Sequence, residues 1–303
     1  MLIKTGLERT GIKVSGIAYS TYMDLRKTAH GLKYDKLIIA DIGMNTEFCK
    51  SIGKPTLIID HHTIKGCAEN KKVTFINPRL VNPDAYQPAA YIVYKLFSGI
   101  ADISDKEWIA VLGIVGDYAF EDCMDLLSKW TDAKTREELA ADTEIGKAAS
   151  VISGAIFEIG FDRVMKIILS SNSMDEVTKN CEVREASEKY QTLYEKEVEN
   201  FWKNSEKIGN VIFSVIKPIH EGMGSSIVNL VSRKNPDKII ILFEDIEDKY
   251  DIDARHQGDG VHLGNLMEKL CGGGGHKNAA GGLISKGELK EFKKKLLKEL
   301  KIL

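Results

Sequence analysis

The sequence predicts an α/β protein: a parallel-sheet N-terminal domain, a helical connector, and a smaller α/β C-terminal domain across a cleft. Three observations carry this expectation. First, two short apolar runs end abruptly in polar side chains. Lys36-Leu37-Ile38-Ile39-Ala40 is closed by Asp41, and Thr56-Leu57-Ile58-Ile59 by Asp60-His61-His62-Thr63. Parallel strands deliver side chains to the carboxyl edge of an open sheet in this way. Second, from about Thr131 to Asn204 the composition turns helical and charged. Third, apolar strands and helices alternate again from Val211 onward and lead into a glycine run near the carboxyl terminus. The expected domain limits are 1–130, 131–205 and 206–303.

The 303 residues suffice for two domains, each with its own core. An apolar content of 43% with 28% charged residues describes a folded, soluble chain, and a formal charge of −2 argues against indiscriminate binding of long nucleic acid. The five cysteines, Cys49, Cys67, Cys123, Cys181 and Cys271, form no Cys-x-x-Cys pair, so neither a zinc ribbon nor a disulfide framework is indicated. That usage fits a reducing cytoplasm. No apolar run approaches the roughly 18 residues of a membrane helix, and a signal-peptide core is missing at the start, so no membrane partner is expected.

Met1 to Gly11 reads as a helix, with Leu2, Ile3 and Leu7 on one side and Gly11 to stop it. Ile12 to Ala18 reads as a strand, and His30 as a loop residue. Asn45 to Ile52 is a short helix. Val73-Thr74-Phe75-Ile76 is a strand stopped by Asn77-Pro78, and Asn82-Pro83-Asp84 prolongs the turn. Ala89 to Phe97 and Asp105 to Val115 carry apolar residues at helical spacing, and the second delivers Asp117 after Gly116. In the connector, Tyr190, Tyr194, Phe201 and Trp202 recur at packing intervals. Val211 to Ile216, Ile239 to Phe243 and Tyr250 to Ala254 are strands, with Ser225 to Val231 as an intervening helix. Leu263 to Leu270 is a helix running into the glycines, and Gly287 to Leu303 a basic amphipathic helix.

Asp41, Asp60, His61 and His62 gather carboxylate and imidazole at one sheet edge, a donor set suited to a divalent metal such as manganese. On these residues alone, a hydrogen-bonded turn with one satisfied histidine stays open for Asp60-His61-His62, and a solvated helix terminus for Asp117. Gly272-Gly273-Gly274-Gly275 leaves a bare backbone beside His276 and Lys277, which reads as an anion cradle, or otherwise as a flexible linker. Arg255 presents a guanidinium fork that matches phosphate oxygens, or else a surface ion pair with Asp253 or Glu244.

Taken together, Asp41 in Ala-Asp-Ile-Gly, Asp60-His61-His62, Asp117 in Gly-Ile-Val-Gly-Asp-Tyr and the Gly-Gly-Gly-Gly-His segment resemble, in order, motifs of the DHH phosphoesterase superfamily with its DHHA1 domain. The resemblance covers nearly the whole chain. It implies that Asp41 bridges two Mn²⁺ ions, with Mg²⁺ as the alternative. His61 and Asp117 complete the second metal site, His62 contacts phosphate or orients a ligand, and Asp60 holds an imidazole in its tautomer. Arg255, Gly272 to Gly275 and His276 are implied to bind substrate.

The superfamily's first motif, a strand followed by His-x-Asp-x-Asp-Gly, has no match here. Either the natural chain begins about twenty residues upstream or the motif is lost; a helix without its preceding strand favours the first. The implied activity is manganese-dependent hydrolysis of single-stranded DNA or RNA ends or short oligonucleotides to nucleoside monophosphates, as in RecJ-like and nano-RNase-like members. Adenosine bisphosphate and cyclic dinucleotides are alternative small phosphoester substrates. A catalytically impaired nucleic-acid-binding or replication-scaffold protein is the rival. The resemblance is compatible with a homodimer.

Overall fold

The computed structural model describes residues 1–20, 24–43, 46–62, 70–217 and 223–302. Thr63, Cys67 and the expected helix start at Asn45 lie outside the described residues. The chain divides into two compact units, Met1–Glu188 and Lys189–Leu303.

The first unit begins with α1 (Leu2–Arg9), α2 (Leu25–Gly31), β1 (Leu37–Ala40), α3 (Thr46–Ser51), β2 (Thr56–Ile59) and β3 (Val73–Ile76). The helices α4 (Ala89–Ser98), α5 (Glu107–Gly116), α6 (Met124–Leu127), α7 (Arg136–Asp142), α8 (Glu144–Ile159), α9 (Phe161–Ser170) and α10 (Met174–Lys179) follow. A long helix, α11 (Cys181–Lys203), begins here and continues into the second unit. The three strands are all parallel, in the order β1-β2-β3, with Ala40 opposite Ile59 and Ile59 opposite Ile76. They therefore end on one line, and the residues that follow, Asp41, Asp60 and Asn77, emerge at one sheet edge.

Neighbouring residues of β2 explain why the sheet is covered on both faces. Ile58 and Ile59 are both fully buried. Because strand side chains alternate, Ile58 enters a core with Leu25, Ala29, Phe48, Cys49 and Ile52, whereas Ile59 enters one with residues of α4 and α5. Each such isoleucine contributes about 1.5–3 kcal/mol of transfer free energy. Helix α5 is apolar on nearly every side and lies inside the unit. Its Gly113 sits so close to α4 that a Cβ there would be 2.3 Å from the Cβ of Ala90. That close approach fixes the carboxyl end of α5, where Asp117 sits. The helices expected as a connector pack onto α5 through Trp108, which clusters with Ile152, Val164, Val177 and Val183.

The second unit contains β4 (Ser205–Ile208), β5 (Val211–Ile216), α12 (Gly224–Lys234), β6 (Ile239–Ile246) and β7 (Lys249–His256). It continues through α13 (Leu263–Cys271), β8 (Gly274–Gly275), β9 (Ala279–Ser285) and α14 (Leu289–Glu299). Its six strands run β4-β5-β6-β7-β9-β8, antiparallel except for the β5–β6 pair. Phe213, Ile241, Phe243, Ile252 and Ala254 fill one face against α13 and α14. Ile212, Ile240 and Leu242 fill the other against α12 and Phe201.

Three local expectations are corrected. Ile12 to Ala18 forms no strand: no neighbouring ladder takes up its backbone groups, and Ile12 and Ile17 are 55% and 47% exposed. His30 lies in the last turn of α2 rather than in a loop. The glycine run is not a bare loop, since Gly274 and Gly275 pair with Gly281 and Ala280 of β9. Glycine suits this pairing because a Cβ on Gly273 would lie 2.2 Å from the Gly281 carbonyl oxygen. Among the described residues, no helix is long and apolar enough to cross a membrane.

Candidate metal centre

The centre is built at the carboxyl edge of the three-stranded sheet. Ladder hydrogen bonds carry the strand geometry one residue past each strand end. Asp41 N–H donates to Ile59 O at 3.0 Å and Asp60 N–H to Ile76 O at 3.0 Å. Asp41 then turns at φ 63, in the left-handed region that aspartate enters more readily than most residues. The Asn77 side chain donates to His62 O at 3.0 Å, anchoring the backbone just after the strand.

Asp117 arrives from a different direction, at the end of α5. Its N–H donates to Gly113 O, and Tyr118 follows at φ 56. Asp41 and Tyr118, the two left-handed non-glycine residues described in the first unit, thus lie at or beside carboxylates of one cluster. Backbone outliers of this kind gather where surrounding contacts over-determine the chain.

His61 joins the two carboxylates. Its Nε2 is 3.2 Å from Asp41 Oδ1 and 3.7 Å from Asp117 Oδ2, and the residue is only 8% exposed. The other ring nitrogen, Nδ1, is buried without a hydrogen-bond partner. His62 behaves differently. Its Nδ1 lies 2.7 Å from Asp60 Oδ1, and Asp60 is almost completely buried. Asp60 thus orients His62, not His61. Ligand atoms of Asp41, His61 and His62 all lie within 4.8 Å of one another.

Electrostatics follow from this geometry. The hydrogen bond with His61 holds the Asp41 carboxyl below its ordinary value. Burial pushes Asp117 up, and the charge of Asp41 adds to the shift. The Asp60 carboxylate raises His62. Two carboxylates gathered around one imidazole, with the charge of Asp41 disfavouring ionisation of Asp117, form a donor set that a divalent cation would neutralise. The residues fit such an ion.

Tyr86 is a lining residue not singled out by the sequence pattern. Its hydroxyl donates to Asp117 O at 2.8 Å, and its ring centroid is 6.1 Å from that of His61. The turn signal Asn82-Pro83-Asp84 located the segment but gave no indication that a tyrosine side chain returns to the edge.

The remaining expected residues lie in the second unit. Arg255 on β7 is half-buried; its Nη2 donates to Ser225 Oγ at 2.8 Å and its Nη1 to Ala254 O at 2.9 Å. Arg255 pairs across the sheet with Ala279, whose carbonyl accepts the His276 N–H at 2.7 Å. The imidazole of His276 is on an exposed residue. The Gly272 and Gly273 amides donate inward, to Glu268 O and Met267 O, and so cannot face an anion.

Residues 209–301 match the family of DHHA1 domains. No curated protein sequence matches the chain. Among solved structures, the Mn²⁺ complex of RecJ from Thermus thermophilus superposes with a TM-score of 0.73 at 16% identity. That match covers 97% of this chain and 48% of RecJ, so the chain spans about half of RecJ's length. The pGpG-specific phosphodiesterase PggH from Vibrio cholerae matches with a TM-score of 0.61 at 18% identity, over 99% of this chain and 95% of PggH. CDC45 from Entamoeba histolytica matches with a TM-score of 0.57 at 10% identity, over 98% of this chain and 91% of CDC45. With a parallel sheet in one unit, a mixed sheet in the other and a family match over 209–301, the chain carries a DHHA1 domain and shares the fold of solved structures such as RecJ and PggH.

Proposed function

We propose that this protein is a divalent-cation-dependent phosphoesterase that releases nucleoside monophosphates from single-stranded nucleic-acid ends or short oligonucleotides. The observation that carries the reading is the convergence of Asp41 and Asp117 on one edge of the His61 imidazole. Asp41, His61 and Asp117 would hold the cation, with Mn²⁺ the first choice for a mixed carboxylate and imidazole set and Mg²⁺ the second. Bound there, a divalent cation supplies neutralisation of phosphoryl oxygens and a lowered pKa for water.

The chain's own groups perform the rest. Asp60 fixes Nδ1 of His62, so Nε2 is the atom that meets a phosphoryl oxygen and carries a proton to it. His61 and Tyr86 close the site on the sheet side. In the second unit Arg255 binds a substrate phosphate through its guanidinium fork, with His276 and the amides of Gly274 and Gly275 beside it. We assign cation binding to the first unit and substrate binding to the second, with residues 131–205 linking the two functions.

The formal charge of −2 favours small or terminal substrates over long duplexes. The solved structures that resemble the chain include an exonuclease and a pGpG phosphodiesterase, which supports a nucleotide phosphodiester as the substrate class. A second reading, binding of nucleic acid without hydrolysis, is supported by the donor set itself: among the described residues, the ligand atoms of Asp41, His61 and His62 that lie within 4.8 Å of one another suit one cation rather than a pair. Incubation with an end-labelled single-stranded oligonucleotide and Mn²⁺ separates the two. The phosphoesterase reading expects mononucleotide release that is lost in Asp41→Ala; retained binding with no Mn²⁺-dependent product, or equal release by the variant, overturns it.

A further inference from the structure

The α12-facing side of the second unit's sheet carries, beside Arg255, three carboxyl side chains to which the proposed function gives no role. Antiparallel register sets Glu244 of β6 opposite Asp251 of β7, and Leu242 opposite Asp253. Cross-strand partners share a face, so Glu244, Asp251, Asp253 and Arg255 all project to the same side. Glu244 is 2% exposed, and its Oε2 has no hydrogen-bond partner. A buried carboxylate oxygen left in that state costs free energy unless a proton resolves it.

The neighbours identify where that proton goes. Among the described residues, the groups facing Glu244 are Asp251 and Asp253 on β7, the Gly224 N–H at the start of α12 and apolar Ile216 on β5. Asp253 lies within hydrogen-bonding reach of Glu244, yet two ionised carboxylates have no donor between them. Burial and the two aspartates push the Glu244 carboxyl up to about 7, and burial also raises Asp253. The amino end of α12 is fitted to this arrangement. A Cβ on Gly224 would fall 1.8 Å from Glu244 Oε1, and the next residue, Ser225, accepts the Nη2 hydrogen bond of Arg255.

We propose that Glu244 is a positioning residue that acts through Asp253: one proton shared between the two carboxyls leaves the Arg255 guanidinium available to a substrate phosphate. The inference rests on the phosphate-binding role given to Arg255 above. With the proton in place, Asp253 shares its charge with Glu244 and Arg255 keeps its hydrogen bonds to Ser225 and Ala254. When the proton leaves, two adjacent carboxylates, with Asp251 beside them, compete for the single guanidinium and set negative charge against an incoming phosphate. Substrate affinity therefore falls as pH rises through neutrality.

The test uses the full chain, a chelator to prevent hydrolysis, and a fluorescent single-stranded pentanucleotide with a free 5′ phosphate as the probe. Its affinity is measured from about pH 6 to about pH 8.5. Wild-type affinity should fall by roughly tenfold across that range. Glu244→Gln, which keeps an N–H donor toward Asp253 at every pH, should retain the low-pH affinity throughout. Asp253→Asn, the variant to use if Glu244→Gln fails to fold, should move the decline below the range. A flat wild-type profile, or a decline of the same size and midpoint in the variants, overturns the proposal. Arg255→Ala is the control for the parent reading: unchanged probe binding in that variant removes the phosphate role itself, whereas weakened binding with unaltered Glu244→Gln and Asp253→Asn profiles removes only the inference.

Discussion

Nδ1 of His62 lies 2.7 Å from Oδ1 of Asp60, while Nδ1 of its neighbour His61 is buried with no partner. Two adjacent imidazoles therefore occupy different electrostatic situations. The Asp60 carboxylate stabilises protonated His62 and raises its pKa. A histidine whose folded pKa is raised contributes stability below the unfolded value near 6.5 and loses it as pH rises through the folded value. In metal-free protein, the His62 ring resonances should titrate above the free-histidine range. Asp60→Asn should bring that midpoint down and remove the associated stability on the acid side of neutrality. An unchanged His62 titration in the variant would show that Asp60 does not set its charge.

Asp117 makes the opposite contribution. Burial and the charge of Asp41 raise its carboxyl pKa, so at neutral pH its ionised form weakens the metal-free fold and is relieved only as pH falls. Asp117→Asn should raise the melting temperature of the metal-free protein, on the order of 2–4 °C for each kcal/mol recovered. If Asp117 holds the cation as proposed, the same substitution should abolish the additional stabilisation expected from Mn²⁺. Melting curves of both proteins with chelator and with saturating Mn²⁺ check both halves. A lowered metal-free melting temperature contradicts the electrostatic account, and a preserved Mn²⁺ shift contradicts the ligand assignment.

How legible this centre was depends on the range of the signal. Asp41 and Asp60 were readable because each ends an apolar run, and in-register parallel pairing turns two such endings into one edge. The strand Val73–Ile76 was readable for the same reason. Asp117 is placed by helix packing at Gly113 and Ala90, a non-local contact that no spacing encodes; only motif order pointed to it. Tyr86 and the Glu244–Asp253 pair were not legible for a related reason. A tyrosine in a loop and a glutamate inside a buried strand have no periodic signature of their own: the first reaches Asp117 through loop packing, and the second meets Asp251 through strand register. Ile12 to Ala18 misled because alternating apolar residues describe a strand only where a partner edge receives them.

The glycine run supplies a prediction in which adjacent residues behave differently. A Cβ on Gly273 meets the Gly281 carbonyl at 2.2 Å, a backbone atom that cannot swing aside, whereas a Cβ on Gly274 meets nothing within 4 Å. Gly273→Ala should therefore loosen the β8–β9 pairing at a cost of roughly 1–3 kcal/mol. Gly274→Ala should be close to neutral. Amide hydrogen exchange of β9 is the direct readout: faster exchange in Gly273→Ala alone supports the packing account, and equal effects of the two substitutions count against it.

Arg255 offers a test of geometry against charge. Its two terminal nitrogens are already divided between Ser225 Oγ and Ala254 O, which aims the guanidinium plane and leaves its remaining N–H groups in a fixed direction. A lysine at this position keeps one positive charge but cannot hold both contacts, and its ammonium tolerates partial burial less well. If the residue binds phosphate through the fork, Arg255→Lys should resemble Arg255→Ala more than wild type. The loss of charge-assisted hydrogen bonds worth about 1.5–3 kcal/mol corresponds to a weakening of roughly 10- to 100-fold. Titration calorimetry with a 5′-phosphorylated single-stranded oligonucleotide, matched by one lacking the phosphate, measures the term directly. Near-wild-type affinity in Arg255→Lys would mean that the site reads charge alone, and an equal loss for both oligonucleotides would mean that Arg255 contacts something other than the terminal phosphate.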